Sequence, residues 1–419
     1  MLIRNRANTS LCFGCTQNLI CAKSSAEMRG NMSKMILHQG DINETPELVG
    51  YDSNRIEVLN NHLWNMIDDK RLIGASYCIT KNDKVIANNS LGYSSYKREN
   101  EVLMKPDTVM NIASVTKLIT AVAIFKLVED GLIRPDEPMS RYIKQMDKEP
   151  FKDIKIAQVL SHSSGLTFGS KDETNPFAFI GKCKKGDDWI EAGLKTGVAC
   201  KPGEQWIYST FGFTLLGALI HNVTGIGSEE FITKNILEPL GMKDSSFHPD
   251  SKLARRHLIQ FEDNEVQINN IINNIVDEEE KNSIWNDVPR TGGGLHSTSV
   301  DLSRFARMLC NDGRFGNTRI LGKMSIEKMR TQYLFNVPDY CWGANNKNRL
   351  YGMGADLRRG DAIITSPDFF FHEGWGYLCV AVDPREQLTA AWMVPYTNGD
   401  VWYPESLLNV KNIIWSGLI

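Results

Sequence analysis

Ala113-Ser114-Val115-Thr116-Lys117 stands at the head of the strongest helical pattern in the chain, an amphipathic run over residues 115–128 that Asp130-Gly131 brings to a stop. Two more helical patterns follow in the middle of the sequence. Residues 211–223 are apolar and end at Gly225, and residues 229–237 lead into Pro239 and Gly241. Strand patterns lie toward the two ends instead. Residues 75–79 and 85–87 read as strands joined at Asn82-Asp83, a dipeptide suited to a tight hairpin turn. Residues 377–382 and 387–394 read as a second hairpin around Pro384, and residues 405–415 as a closing helix. Ahead of the first hairpin, Ile56, Leu59, Leu63 and Met66 recur at helical spacing within residues 53–72, with Ser53 placed to cap them. This order predicts an α/β chain of the α+β type. One antiparallel sheet is built from N- and C-terminal strands and flanked by helices, with a mainly helical lobe inserted at about residues 115–290. The predicted domain is single and spans residues 51–417, and residues 1–50 are predicted to be a disordered extension.

Bulk properties fit this reading. The chain has 419 residues, 42% hydrophobic and 23% charged, with a formal net charge of -3. Such a balance excludes whole-surface steering toward nucleic acid or an anionic membrane, and no apolar run is long enough to span a bilayer. The nine cysteines are scattered, as reduced and mostly buried small hydrophobes are, so a cytoplasmic location is expected. Cys12 and Cys15 form a lone C-x-x-C with Cys21 close behind, but no second pair or histidine ligands follow at zinc spacing, so no metal is expected. Arg4 and Arg6 precede the first acidic residue, Glu27, which suits a targeting segment. Thr16, Gln17 and Asn18 interrupt its apolar stretch, so an extension without function, with Met32 or Met35 as alternative starts, is the preferred reading. The Asn-rich, acidic residues 264–281, including Asp277 to Glu280, read as a solvated excursion rather than a binding patch.

The chemistry centres on Ser114. A serine hydroxyl is a weak nucleophile until a base takes its proton. Residues three apart share a helix face, so Lys117 can reach that hydroxyl. A lysine in a dry site has a lowered pKa and can serve as the base, or can hold a neighbouring phenol ionised. The helix N-terminus adds free N–H groups where an oxyanion would form. Alone, this spacing is common, and a helix cap beside a surface lysine would account for it. Two later motifs reinforce it. Trp206-Ile207-Tyr208-Ser209-Thr210 follows Lys201-Pro202-Gly203-Glu204 and precedes an apolar helix. The phenol of Tyr208 can take the serine proton and pass it to a leaving group, although a core tyrosine with a satisfied hydroxyl fits the same pattern. Phe371-His372-Glu373-Gly374-Trp375 precedes an apolar strand, where Gly374 permits close approach of a substrate backbone and the Trp375 N–H can serve as a second oxyanion donor.

Ser-x-x-Lys, then Tyr208-Ser209-Thr210, then His-x-Gly on a sheet strand resembles the serine β-lactamase and penicillin-binding-protein superfamily, in its class C-like branch of esterases, D-aminopeptidases and D,D-peptidases. Leu160-Ser161-His162-Ser163-Ser164-Gly165-Leu166, Pro202-Gly203-Glu204 and Gly292-Gly293-Gly294-Leu295-His296-Ser297-Thr298, with Asp301 and Phe305, fit the same branch. The resemblance covers about residues 53–417 and implies the two-lobed fold already read from the element order. It implies Ser114 as nucleophile, Lys117 and Tyr208 as the base pair, and the N–H groups of Ser114 and Trp375 as oxyanion hole. It places Thr210, His372 and Gly374 against substrate. Two positions depart from the antibiotic-hydrolysing pattern: Thr210 replaces an asparagine that meets a substrate amide, and His372 replaces a lysine that helps hold a carboxylate. His372 is expected to be neutral unless Glu373 raises its pKa. The G-x-S-x-G elbow is absent around Ser114, which argues against an α/β-hydrolase.

His162, His221 and His296 read as packing residues. The expected activity is hydrolysis of a small-molecule ester or amide through an acyl-enzyme, with no cofactor. D-amino-acid peptidase and β-lactamase are alternatives within the family, and a catalytically silent binding or sensor domain is the alternative of another class. Loss of Lys117 or Tyr208 would favour that last case, and both are present. Loops near residues 168–200 and 339–368 are expected to shape the substrate site.

Overall fold

The computed structural model describes residues 35–97, 102–167, 172–276, 278–358, 362–397 and 404–419. Six antiparallel strands form the main sheet: β1 (Leu37–Gln39), β2 (Gly74–Lys81), β3 (Lys84–Gly92), β4 (Phe370–Gly374), β5 (Leu378–Asp383) and β6 (Leu388–Met393). Their order across the sheet is β1-β3-β2-β6-β5-β4, so strands from both ends of the chain meet at the β2/β6 pair. Both expected hairpins are present. The first turns at Asn82 and Asp83, whose φ values of 50° and 61° are those required at the two centres of a turn that matches strand twist.

The sheet is covered on both faces. Successive strand residues point to opposite sides, and Ser76 and Tyr77 show what each side meets. The Ser76 hydroxyl lies 2.7 Å from that of Ser299, at the start of a helix spanning Ser299–Cys310, whereas the Tyr77 hydroxyl donates to Asn60 at 2.6 Å. Asn60 belongs to α1 (Asn54–Asp68), which packs against the closing helix Val410–Trp415. β5 and β6 are consequently buried along their whole length.

Between β3 and β4 the chain is mostly helical. α2 (Thr116–Glu129) and α3 (Thr210–Thr224) pack on each other, and their apolar side chains join one core. α2 is not amphipathic as its sequence suggests. Every residue from Thr116 to Phe125 is buried, so its polar members Thr116, Lys117 and Thr120 must find partners inside the protein. α3 ends as expected, at Gly225 with φ 73°.

Two local expectations are corrected, and the solvated reading of residues 264–281 holds with an ordered backbone. Ser53 does not cap α1 with its side chain, because its own backbone is already helical; Asp52 accepts the Asn54 N–H at 2.9 Å instead. Residues 1–50 are not wholly without structure, since β1 pairs with β3 and Pro46–Val49 forms a 3₁₀ turn; the rest of that expectation, residues 1–34, lies outside the described residues. Residues 262–273 form a helix whose one buried member is Ile268, so the polar stretch is an ordered, solvated face; Asp277 lies outside the described residues. Among the described residues, Cys78, Cys183, Cys200, Cys310, Cys341 and Cys379 are free, and no single helix is long and apolar enough to cross a membrane.

Candidate active site

Ser114 sits in a 3₁₀ turn, Ala113–Val115, that runs directly into α2. Ala113 carries φ 45°, a left-handed conformation that is unfavourable for a residue with a Cβ. Its N–H donates to Asn111 Oδ1 at 2.7 Å, which helps hold the turn. Lys117, one helical turn further on, is fully buried. Its Nζ lies 3.1 Å from Ser114 Oγ, 3.2 Å from Thr210 Oγ1 and 2.5 Å from the Gly292 carbonyl.

Among the described residues no carboxylate pairs with Lys117, so burial acts alone and pulls its pKa from the usual lysine value down to about 7. At that value a large fraction of the amine is neutral at physiological pH. A neutral amine has two N–H donors and one lone pair. Gly292 O can only accept, and Thr210 Oγ1 takes the second donor. The lone pair is then free to accept the Ser114 hydroxyl proton.

Tyr208 is half-buried, and Ser114 is the neighbour that favours its ionised form. Loss of solvation raises its phenol well above the ordinary tyrosine value, and Ser114 offsets only part of that. The ring centroid lies 4.8 Å from Lys117 Nζ. The Thr210 hydroxyl is a partner of Lys117.

His372 and Gly374 lie on β4, which packs against the Ser114 turn. His372 donates from Nδ1 to the Glu373 carbonyl at 2.8 Å, and its Nε2 is buried without a partner. Burial, then the Lys117 charge, lower its pKa to about 4, so it is neutral. Glu373 raises it through its carbonyl and its charge, but by less than burial and Lys117 lower it. That carboxylate is bound by Lys411 at 2.5 Å and by Arg358 at 2.7 Å. Trp375 follows β4, and its side chain is exposed beside the Phe261 and Tyr396 rings.

Gly374 has a packing reason for its identity. A Cβ there would sit 2.6 Å from the Ile112 carbonyl and collide with Leu378, so only glycine lets β4 close on the Ser114 turn. Gly374→Ala is expected to destabilise the protein by about 1–3 kcal/mol and to lower activity further than the lost stability explains. Thermal melting and ester turnover on the same preparation check this. An unchanged kcat in the alanine variant would show that β4 does not set the geometry of the turn.

Several further side chains reach the site from other segments. His162, read as a packing residue, stacks on Tyr208 with ring centroids 4.3 Å apart, and its Nδ1 accepts the Ser209 N–H at 3.1 Å. Trp342, from the expected substrate loop, lies over Tyr208 at 5.3 Å while remaining 77% exposed. Beside Thr210 and Gly292 a cleft of about 380 Å³ opens, walled by Phe177, Trp285, Val288, Pro289 and Arg290. Phe177 comes from the other expected loop. His221 makes only a local contact with Ile226 O at 3.2 Å, in keeping with a packing role.

An antiparallel sheet carrying a serine–lysine pair at the foot of a buried helix defines a class of serine hydrolases rather than one reaction. The Beta-lactamase family profile matches residues 59–406. A Salmonella typhi protein provisionally named D-alanyl-D-alanine carboxypeptidase is 24% identical over 409 residues, covering 90% of both chains. The fold matches that of a penicillin-binding-protein homologue from Caulobacter crescentus with a TM-score of 0.69 at 19% identity, covering 90% of this chain and 100% of the other. It also matches a family VIII carboxylesterase with a TM-score of 0.66 at 18% identity, again covering 90% and 100%. The chain belongs to the Beta-lactamase family and is a serine hydrolase.

Proposed function

We propose that this hydrolase cleaves small, uncharged esters or amides through an acyl-enzyme on Ser114, with Lys117 as base and Tyr208 as proton donor. The supporting observation is the buried Lys117 amine 3.1 Å from Ser114 Oγ, unpaired with any described carboxylate and lowered to about pKa 7. In this reading Ser114 Oγ attacks the carbonyl carbon as its proton passes to Lys117 Nζ. The oxyanion faces the backbone N–H groups of Ser114 and Trp375. The protonated phenol of Tyr208 gives its proton to the leaving oxygen or nitrogen and recovers one from the Lys117 ammonium. Water then attacks the acyl group, its proton goes to the neutral amine, and Ser114 leaves protonated.

Neutral His372 supports a preference for uncharged substrates, as do the carboxylate partners already held by Arg358 and Lys411. The apolar walls of the adjoining cleft suit a hydrophobic acyl group. A second reading, a D-amino-acid peptidase, is favoured by Arg290 at that cleft, a cation able to meet a carboxylate, and by the name of the Salmonella relative. The single-domain organisation over residues 51–417 belongs to the same proposal, as does a cytoplasmic setting, for which the six free thiols among the described residues speak.

Short-chain nitrophenyl esters are expected to exceed nitrocefin in kcat/KM by about 10²-fold, since two lost polar partners cost about 1–3 kcal/mol each. Measuring both on one preparation, with a D-alanyl peptide alongside, checks this. A nitrocefin value at or above the best ester would overturn the ester reading, and a dominant D-peptide value would establish the second one.

A further inference from the structure

Behind the Ser114 turn, the short strand His296–Ser297 pairs with Met110–Asn111, setting Asn111 opposite His296. His296 Nδ1 lies 2.8 Å from Nε2 of His257, a buried ring whose own Nδ1 lies 2.8 Å from the Leu258 carbonyl. On its other side His296 Nε2 lies 3.4 Å from Asn111 Nδ2. Asn111 Oδ1 in turn accepts the N–H of Ala113, the left-handed residue immediately before Ser114.

The proton positions along this line follow from one end. Leu258 O can only accept, so His257 carries its proton on Nδ1. Burial holds both rings neutral, lowering His257 to about 4 and His296 to about 3. The bare Nε2 of His257 then requires a proton on His296 Nδ1. That leaves His296 Nε2 bare, so the Asn111 amide must turn its NH₂ toward the ring and its oxygen toward Ala113. Every link has one donor and one acceptor, and no other assignment of two neutral rings satisfies all four. The same segment serves Lys117 from its other end, through the Gly292 carbonyl. One loop therefore holds both the base and the backbone beside the serine.

We propose that His257, His296 and Asn111 are positioning residues, a fixed-polarity hydrogen-bond chain that keeps the Ala113–Ser114 backbone in its left-handed turn and so aims Ser114 at Lys117. The proposal rests on the reading of Ser114 as nucleophile for its catalytic consequence, but not for the chain itself.

The test uses the full-length protein with nitrophenyl acetate as substrate. His296→Leu and Asn111→Ala are each expected to lower kcat by about 10- to 100-fold with KM within about threefold, as a small misplacement of the nucleophile does. Because both act through one path, the double variant is expected to be no slower than the worse single one. His296→Gln, whose amide can donate to His257 and whose oxygen can accept from Asn111, is expected to restore kcat to within about threefold of the parent. Multiplying losses in the double variant, or a glutamine variant as slow as the leucine one, would overturn the proposal. Should the leucine variant not fold, ¹⁵N-edited spectra of the parent decide the matter. Both rings are expected to be neutral with the proton on Nδ1 at pH 7, and a proton on Nε2 of either would sink the chain. Parent-like turnover in Ser114→Ala would reject the nucleophile instead, while the spectra still judge the chain.

Discussion

Ser114→Ala is expected to reduce ester turnover by on the order of 10⁶, the loss typical when a covalent nucleophile is removed from an otherwise intact site. The variant should fold, because the hydroxyl lies at the foot of α2 and the lysine beside it keeps its bonds to Thr210 and Gly292. What remains is substrate binding and the oxyanion donors, which alone give a small residual rate. Thr210 is the one complication. Its hydroxyl also lies 3.2 Å from Lys117 Nζ, so it is a second alcohol within reach of the base. Peptide mapping after fluorophosphonate labelling separates the two: the label is expected on the Ser114 peptide of the parent and on neither peptide of the variant. Undiminished kcat in pure Ser114→Ala would reject the assignment, and a label that moved to Thr210 would name the substitute.

The sheet is legible in the sequence wherever a turn announces it. Asn82-Asp83 tolerates positive φ at both turn centres, so the first hairpin can be read from two residues and their flanking alternation. β1 is different. Three residues are too few to show a period, and its pairing with β3 is decided by a strand edge about 50 residues away in sequence. The burial of α2 is hidden for a related reason. A window containing Thr116, Lys117 and Thr120 suggests a solvated side, but these groups are satisfied inside by Thr291, Gly292 and Leu295, which arrive from far along the chain.

The candidate site divides in the same way. Ser114 and Lys117 are readable together because i and i+3 on a helix are neighbours whatever the tertiary fold. Tyr208 and His372 are legible only through motif order, which the structure converts into proximity by closing β4 and the start of α3 on one turn. Analogy of position places Thr210 against substrate, and its bond to Lys117 depends on a side-chain direction no pattern specifies. His257 and Trp342 have no motif at all, and the stretch that holds His162 gives that ring no role. They reach the site from separate loops, and nothing local distinguishes them from packing residues.

The second large effect separates the two groups proposed to handle protons. Lys117→Ala and Tyr208→Phe are each expected to lower kcat by about 10²–10⁴, the usual range for a lost acid–base group, but they should change the pH profile differently. Lys117 must be neutral to accept the serine proton, and burial sets its pKa at about 7. Below that pH the ammonium form predominates, the lone pair is gone, and kcat/KM is expected to fall about tenfold per pH unit. Above it the rate should level off. The Tyr208 phenol is raised by burial above its ordinary value, so it stays protonated on that plateau and contributes no ascending limb. Tyr208→Phe should therefore lower the whole curve, with its rise still centred near pH 7. Lys117→Ala should abolish the rise itself. A Tyr208→Phe profile whose rise moves by a pH unit or more would make the phenol part of the titrating base. A Tyr208→Phe kcat close to that of the parent, beside an inactive Lys117→Ala, would leave lysine alone in the role and remove the phenol from proton transfer.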